Sequence, residues 1–304
     1  MDINSLVRKI IPNKNISRIV VTTGTLVVSS GTLGLLVFQQ RDALLEHKWQ
    51  IKIGPLAISF ILFTIAFLFA VYMWSVIMQD LGIKIRYWKH FQHYSVANLA
   101  KRIPGTVWYI ASRSNLYREQ GIPWQQTTLV SGVEVAVTLV SGIIVGIFFG
   151  FSIIQQYKVS LWALILPIGG SIAIFHPKMI RWLFLRFGVD ATAFQYKNLI
   201  KWIIGYMLIW ILGGIILYTI GNIFWAIPVK LIGYVIGSWV IVGIASNILF
   251  FSPSNLGITE VGLSLLLSRI MPSPIAVLIS ISARILLFLY DIIWALIALR
   301  LVPL

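Results

Sequence analysis

The chain has 304 residues, of which 59% are hydrophobic and only 11% are charged, and its formal net charge is +15. Soluble globular domains contain about 25% charged residues, so a water-soluble fold could not cover this much apolar surface. No long polar block divides the chain. We therefore predict one integral membrane domain over residues 1–304. The lack of cysteine excludes disulfides and cysteine nucleophiles.

Apolar segments of about 20 residues, the length that crosses a bilayer as a helix, recur along the chain. They predict an all-α polytopic membrane protein with about seven transmembrane helices. The predicted spans are at residues 19–38, 53–79, 126–151, 159–175, 199–221, 230–251 and 275–299. Lys and Arg accumulate in cytoplasmic loops, and both the N-terminal tail and the loop at 176–201 are basic. We therefore expect a multi-pass protein of the cytoplasmic membrane with a cytoplasmic N-terminus.

Residues 91–121 do not fit this series of spans. Four predicted spans precede the basic loop at 176–201, so the segment 91–121 should enter and leave the membrane on the cytoplasmic side. It is amphiphilic and is interrupted at Pro104-Gly105. Irregular backbone at membrane depth is tolerated only where it is buried in protein or lines a wet cavity. The segment is therefore predicted to be a re-entrant, broken helical element.

A second break lies at residues 250–262, "FFSPSNLGITEVG", between two apolar segments. Asn98 comes before Pro104 at the first break, and Asn247 comes before Pro253 with the same spacing at the second. The matching spacing indicates that the two breaks belong to an internal repeat. A second re-entrant element is therefore predicted here.

The two units of this predicted repeat cover about residues 91–151 and 240–300. In each unit a proline-containing turn leads into a membrane helix with one charged residue, Glu134 in the first and Arg284 in the second. Paired, Pro- or Gly-interrupted segments in two halves of a chain are the best sequence indication of a transporter's substrate site. An even number of predicted crossings between the units favours a parallel repeat, and one miscounted span would make it inverted.

These motifs resemble those of the lysylphosphatidylglycerol synthase transmembrane family, which includes the flippase domain of the multiple peptide resistance factor. The second family signature matches Pro253, Leu256, Gly257, Ile258, Glu260 and Arg284. The first matches Pro104, Gly105, Arg113, Gly121 and Glu134. The resemblance extends from about residue 15 to the end of the chain. It implies a lipid flippase, and it implies a glycosyltransferase as a partner because stand-alone members often occur with one.

Charges inside the apolar segments are the first candidates for a site. A charge at the bilayer centre costs roughly 3 kcal/mol on an insertion scale, so Glu134 and Arg284 each need a partner or a wet cavity. The simplest expectation is that they pair with each other, either as a static bond or in a substrate path. Glu260 is expected either to complement the positive end of a short helix or to couple a proton or cation. Asp291 lies about two turns after Arg284, on the same helix face.

Cations near the first break are candidates for binding a lipid phosphate. Arg presents a planar fork that matches phosphate oxygens, whereas Lys acts as a point charge. The alternative is the ordinary accumulation of cations on the cytoplasmic side. The cations are Lys101, Arg102, Arg113 and Arg118. The complete set of predicted substrate-binding residues is Lys101, Arg102, Pro104, Gly105, Arg113, Glu134, Pro253, Gly257, Glu260 and Arg284.

Two further patterns concern packing and metal binding. His90 and His93 have helical spacing beside Lys89, but no carboxylate follows closely, so we expect an interfacial pair and no metal site. Glycines four residues apart, including Gly146 with Gly150 and Gly233 with Gly237, indicate close helix packing. The oligomeric state is left open, with a homo-oligomer among the possible assemblies.

The sequence therefore favours translocation, or presentation, of an anionic lipid, either an aminoacylated phospholipid or a polyprenyl-phosphate-linked sugar. Anionic lipids are the expected partners, together with a glycosyltransferase or lipid-modifying enzyme. Nucleic acid is not expected, because the cations form no single stripe. No catalytic arrangement or cofactor motif is visible, so no enzymatic activity is expected. Two alternatives remain: an accessory subunit of a glycosyltransferase or cell-envelope system, and a transferase that uses Glu260 or Glu134 as a base.

Overall fold

The computed structural model describes Phe38 and residues 51–100, 107–156, 177–186, 195–248 and 258–301. All regular secondary structure in these ranges is helical. The α-helices are α1 (Ile53–Asp80), α2 (Tyr87–Ala100), α3 (Val107–Arg118), α4 (Trp124–Gln156), α5 (Pro177–Arg186), α6 (Tyr196–Phe224), α7 (Ile232–Ile248), α8 (Ile258–Leu267) and α9 (Ser273–Leu301). A short 3-10 helix, Val229–Leu231, leads into α7.

Five described segments are long and apolar enough to cross a membrane. They are Ile53–Asp80, Trp124–Gln156, Tyr196–Phe224, Val229–Asn247 and Ser273–Arg300. Each coincides with a predicted span, so the all-helical architecture is confirmed for this part of the chain, with five helices of the length and composition of membrane spans. The predicted span at 159–175, and that at 19–38 apart from Phe38, lie outside the described residues.

The two predicted breaks also lie largely outside the described residues. Residues 101–106 separate α2 from α3, and residues 249–257 separate α7 from α8. The described flanks have the same order in both predicted units, namely a helix, the break, a short helix, a turn and a long helix.

The turn between α3 and α4 depends on a glycine. Gly121 has a φ of 79°, a conformation that other residues adopt at a cost because of their Cβ atom. Its backbone N–H donates to the carbonyl of Arg118, the last residue of α3. The chain then reverses within a few residues and enters α4 at Trp124.

The helices pack so that the two predicted units interlock. Helix α6 contacts the four other candidate spans, α1, α4, α7 and α9. Helix α2 of the first unit packs on α9 of the second, and α7 of the second packs on α4 of the first. Each unit therefore buries part of its surface against the long helix of the other.

The contact between α4 and α7 is close enough to require glycine. A Cβ atom at Gly237 would lie 2.4 Å from the carbonyl oxygen of Phe149 and 2.9 Å from the Cα of Gly150. Only a residue without a side chain allows the two backbones to approach this closely. The predicted packing role of Gly150 and Gly237 is confirmed.

Candidate functional site

The first site is an ion pair between the short and long helices of the first unit. Arg113, on α3, donates from Nη1 to Oε2 of Glu134, on α4, over 2.5 Å. The other carboxylate oxygen of Glu134 accepts a 2.8 Å hydrogen bond from the hydroxyl of Tyr206, on α6. Both charged side chains are buried. Pairing and hydrogen bonding are what make a buried charge tolerable in a low-dielectric interior.

Aromatic rings enclose the cation of this pair. The Cζ atom of Arg113 lies 3.9 Å from the ring centroid of Trp74, 4.7 Å from that of Tyr94 and 5.4 Å from that of Tyr109. Such ring faces attract a guanidinium, most strongly where water is excluded. The Nε and Nη2 atoms make no hydrogen bond to the described residues. The rings and Glu134 therefore supply the stabilisation of this cation.

A hydrogen-bonded chain continues from this enclosure to α2. The indole N–H of Trp74 donates to the hydroxyl oxygen of Tyr117 over 2.7 Å. The same hydroxyl lies 2.6 Å from Nδ1 of His90. An indole nitrogen only donates, so the Tyr117 hydroxyl accepts from Trp74. The direction of its hydrogen bond with His90 depends on the tautomer of the imidazole.

The two histidines of α2 are buried within the protein. His90 and His93 are only 0% and 1% exposed, because α2 is packed against α1, α3 and α9. Burial is the main cause that lowers the pKa of each imidazole to about 4. Repulsion from His93 and Arg113 adds to this for His90, and repulsion from Lys89 adds to it for His93. Both side chains are neutral at neutral pH.

The second site is the corresponding ion pair of the second unit. Arg284, on α9, donates from Nη1 to Oε1 of Glu260, on α8. Glu260 lies in the first turn of its helix, as predicted. The side chain of Glu260 is 1% exposed, whereas that of Arg284 is 24% exposed. Arg284 is therefore the more exposed member of this pair.

The expectation that Glu134 pairs with Arg284 is wrong. Each finds its partner within its own unit, 21 residues away for Glu134 and 24 residues away for Arg284. The physical reason is that a short connection joins each short helix to its long helix, so these two helices pack against each other. The positions of acid and base are exchanged between the two predicted units. The short helix carries the arginine in the first unit and the glutamate in the second.

A polar contact links the two units. The amide of Asn98, near the end of α2, donates to Oδ1 of Asp291 over 2.7 Å. Asp291 is buried on α9. The sequence predicts that Asp291 lies on the same face of α9 as Arg284. In the structure, the Asp291 carboxylate also contacts α2, through Asn98.

Four of the ten predicted substrate-binding residues are described: Arg113, Glu134, Glu260 and Arg284. The structure brings them together as two separate pairs. The other six, Lys101, Arg102, Pro104, Gly105, Pro253 and Gly257, lie outside the described residues. Arg118, the fourth cation predicted to contact phosphate, is exposed. Within the described ranges, no three His, Asp or Glu side chains are grouped so that they could hold a metal ion.

Sequence reasoning missed the partners of the first pair. Tyr206, Trp74 and Tyr94 lie on three different helices, and nothing in their spacing connects them to Arg113. The sequence feature that could have indicated these partners is a phenolic or indole group inside an apolar segment. Such a group needs a hydrogen-bond or cation partner when it is buried. Comparison with protein-family models, with curated proteins and with solved structures gives no match to the chain.

Proposed function

We propose that the protein translocates, or presents, an anionic lipid across the cytoplasmic membrane. The observation that carries the proposal is the Glu260–Arg284 pair on α8 and α9. Arg284 belongs to a candidate membrane span, and its side chain is 24% exposed although Glu260 occupies one of its nitrogens. Ionisable residues within membrane segments mark substrate paths by default. A guanidinium has further donors in a planar fork that matches phosphate oxygens.

In this proposal the lipid phosphate competes with Glu260 for Arg284. Without a lipid, Glu260 neutralises the arginine, so the buried charge is never left unpaired. When a headgroup arrives, its phosphate takes over part of the guanidinium while the acyl chains stay in the bilayer.

The Arg113–Glu134 pair has a different role in the proposed mechanism. Arg113 is enclosed by rings, and Glu134 is bound on both oxygens. An anion could reach Arg113 only if α2 or α3 moved away. We assign to this pair the fixed positioning of α3 against α4 and α6. Arg113 is therefore a positioning residue in the proposal and not the first contact of the headgroup.

The resemblance to the lysylphosphatidylglycerol synthase transmembrane family supports the class of substrate. An aminoacylated phospholipid and a polyprenyl-phosphate-linked sugar both combine a phosphate group with an apolar tail. The cations Lys101 and Arg102, at the first break, would meet such a phosphate at the membrane surface. Pro104, Gly105, Pro253 and Gly257 keep their predicted substrate-binding role in this proposal.

A second candidate function is that of an accessory membrane subunit of a glycosyltransferase. The closed Arg113–Glu134–Tyr206 arrangement and the Asn98–Asp291 contact favour it, because both hold helices together without an open donor. In that case the polar groups have a purely structural role. A glycosyltransferase that co-purifies with the protein, without an enriched lipid, would support this candidate.

Lipid analysis of the purified protein separates the two functions. We compare wild type with Arg284→Ala and with Arg269→Ala, a control that removes an exposed arginine from the turn after α8. The proposal expects one class of anionic lipid to be enriched in wild type and the control, and to be lost in Arg284→Ala. Equal lipid content in all three proteins would argue against it.

A further inference from the structure

The two ends of helix α6 define two opposite faces of the helix bundle. Near its start, Lys201 lies 2.6 Å from Oδ2 of Asp80, and the indole N–H of Trp202 donates to the same oxygen over 2.8 Å. Near its end, the carbonyl of Ile223 accepts a 3.2 Å hydrogen bond from the N–H of Lys52, the residue before α1. Helices α1 and α6 are therefore antiparallel. We call the face at Asp80 the first face and the face at Lys52 the second face.

Helix α4 begins at the first face. Tyr206 of α6 donates to Glu134 of α4, and the indole N–H of Trp210 donates to the carbonyl of Thr138 over 2.8 Å. In both helices the second contact lies one turn after the first, so α4 and α6 are parallel. Because α6 begins at the first face, the turn between α3 and α4 lies there too.

Helix α7 runs in the opposite direction. A Cβ atom at Gly142 would lie 3.1 Å from Cγ1 of Ile244, and one at Gly150 would lie 2.7 Å from Cδ1 of Ile241. Gly150 also faces Gly237. The residue of α7 that faces α4 therefore moves backwards along the chain as α4 advances. Helix α7 is antiparallel to α4 and begins at the second face.

Helix α8 folds back along α7. The hydroxyls of Ser246, near the end of α7, and Thr259, near the start of α8, lie 3.0 Å apart. The hydroxyl of Tyr234, near the start of α7, donates to the carbonyl of Leu266, near the end of α8, over 3.1 Å. The two helices form an antiparallel α7–α8 hairpin. The turn between α8 and α9 therefore lies at the second face.

Helix α9 then runs from the second face towards the first. A Cβ atom at Gly221, near the end of α6, would lie 3.6 Å from Cδ1 of Ile279, in the second turn of α9. Further along α9, the ring of Trp294 stacks on that of Phe67, in the middle of α1, with 5.8 Å between the centroids. The long helices of the two predicted units, α4 and α9, therefore point in opposite directions.

The α2–α3 hairpin is the counterpart of the α7–α8 hairpin in the first unit. Nδ1 of His90, in the first turn of α2, lies 2.6 Å from the hydroxyl of Tyr117, at the end of α3. The end of α3 is at the first face, because the turn into α4 lies there. The start of α2 is therefore at the first face as well.

The two ion pairs lie at similar depths from opposite faces. At about 1.5 Å per residue, Glu134 lies about 15 Å along α4 from its start at the first face, and Arg284 lies about 16 Å along α9 from its start at the second. The side chain of Arg284 is 24% exposed, whereas that of Arg113 is 0% exposed. The exposed arginine is therefore the one nearer to the second face.

We propose that the two predicted units are inverted in the membrane: the α2–α3 hairpin enters from the first face and the α7–α8 hairpin enters from the second. The lipid phosphate then approaches Arg284 from the second face, a consequence that rests on the proposed function. Inverted repeats that meet around a substrate site are a recurrent architecture of transporters.

The inverted arrangement replaces the parallel one that the number of predicted crossings favours. That number includes the segment of α7 as a complete span before the second unit. Once α7 belongs to the second hairpin, the number of crossings between the two units is odd, and the units are inverted.

Labelling of single cysteines tests the orientation of the units. The natural chain has no cysteine, so each variant reports one position to an impermeant maleimide, in spheroplasts and in inside-out vesicles. The test positions are Gln120→Cys, between α3 and α4, and Ser273→Cys, at the start of α9. The references are Lys197→Cys at the first face and Lys230→Cys at the second. All four residues are exposed, and all four cysteines should react after solubilisation in detergent.

The inference predicts that the two test positions are labelled in opposite preparations. Ser273→Cys should react together with Lys230→Cys, and Gln120→Cys should react together with Lys197→Cys. Labelling of Ser273→Cys and Gln120→Cys in the same preparation would mean parallel units and would overturn the inference. Because this labelling requires no lipid, its result does not depend on whether the protein translocates one.

A thiol at the second ion pair tests the direction of access. The variant Glu260→Gln/Arg284→Cys leaves no unpaired charge at this pair. Its thiol should react with the impermeant reagent at least tenfold faster in the preparation that labels Ser273→Cys than in the other. The control Ala283→Cys, at a buried neighbouring position, should react slowly in both. Faster reaction from the first face, or equally slow reaction from both faces in a folded protein, would overturn access from the second face.

Discussion

Arg113 and Glu134 face each other across the turn between α3 and α4, and their charged groups meet at 2.5 Å in a fully enclosed environment. Glu260 and Arg284 have the same relationship across the turn between α8 and α9, with acid and base exchanged. Each predicted unit therefore neutralises its own buried charge. The difference between the pairs is access: the first arginine is sealed and the second is partly open.

Removing one partner of the sealed pair should destabilise the protein strongly. Arg113→Met leaves Glu134 buried without its cation, and such losses cost about 3–5 kcal/mol. The double variant Arg113→Met/Glu134→Met should recover much of this, because both charges are gone. Thermal unfolding in detergent measures the effect. Additive losses in the double variant would show that the two side chains do not act as a pair.

The close approach of α4 and α7 predicts a steric effect at one glycine. Gly237→Ala places a methyl group against the backbone of Phe149, which cannot move aside as a side chain would. We expect a loss of about 1–3 kcal/mol of stability, as in other overpacked sites. The control is Gly132→Ala on α4, where a Cβ atom meets nothing within 4 Å. If the two variants unfold at the same temperature, the helices are not in backbone contact.

The buried histidines predict a loss of stability in acid. The pKa of His90 and of His93 is lowered to about 4 in the folded protein, whereas an unfolded histidine titrates near about 6.5. Between these values the unfolded chain binds protons that the folded chain excludes, so stability falls as the pH falls through this window.

Substitution of both histidines isolates this effect. The double variant His90→Gln/His93→Gln should lose less stability than wild type when the pH is lowered from about 7 to about 5, because its side chains do not titrate in that range. Unfolding temperatures of both proteins at the two pH values measure the difference. Parallel pH profiles would mean that the imidazoles are already protonated, or are exposed, in the folded protein.

The apolar spans could be predicted from sequence because length and composition decide them. Five predicted spans match described helices within a few residues, and the Gly121 turn follows from the glycine and proline after α3. Helix packing was also predictable at Gly150 and Gly237, where small residues recur with helical spacing. These features depend on residues that are close together in the chain.

The partner of each charge could not be predicted in the same way. Spacing along one helix tells which face a residue lies on, but it does not tell which other helix meets that face. Glu134 and Arg284 occupy matching positions in the two units, and this suggested a pair. Their true partners, Arg113 and Glu260, come from the short helices that the turns fold back onto α4 and α9. Tyr206, which donates a hydrogen bond to Glu134 from α6, could not be predicted either, because spacing within one helix does not tell which other helix it meets.

The proposed competition between Glu260 and a lipid phosphate makes a further prediction. Glu260→Gln keeps the shape of the side chain but removes the charge that neutralises Arg284. Anionic lipid should then bind more tightly and leave more slowly, so that more of it co-purifies while translocation slows. Lipid content and translocation rate are measured on the same preparation. Unchanged values for both would show that Glu260 does not compete with a substrate.

The most direct test of the central claim is a headgroup-accessibility measurement in vesicles. Wild type, Arg284→Ala and the control Arg269→Ala are reconstituted with an anionic lipid that carries a fluorescent headgroup, and an impermeant quencher reports its movement between leaflets. The account predicts movement with wild type and the control, and a rate at least tenfold lower with Arg284→Ala; a tenfold change corresponds to about 1.4 kcal/mol. Movement at the wild-type rate in a folded Arg284→Ala protein would contradict it.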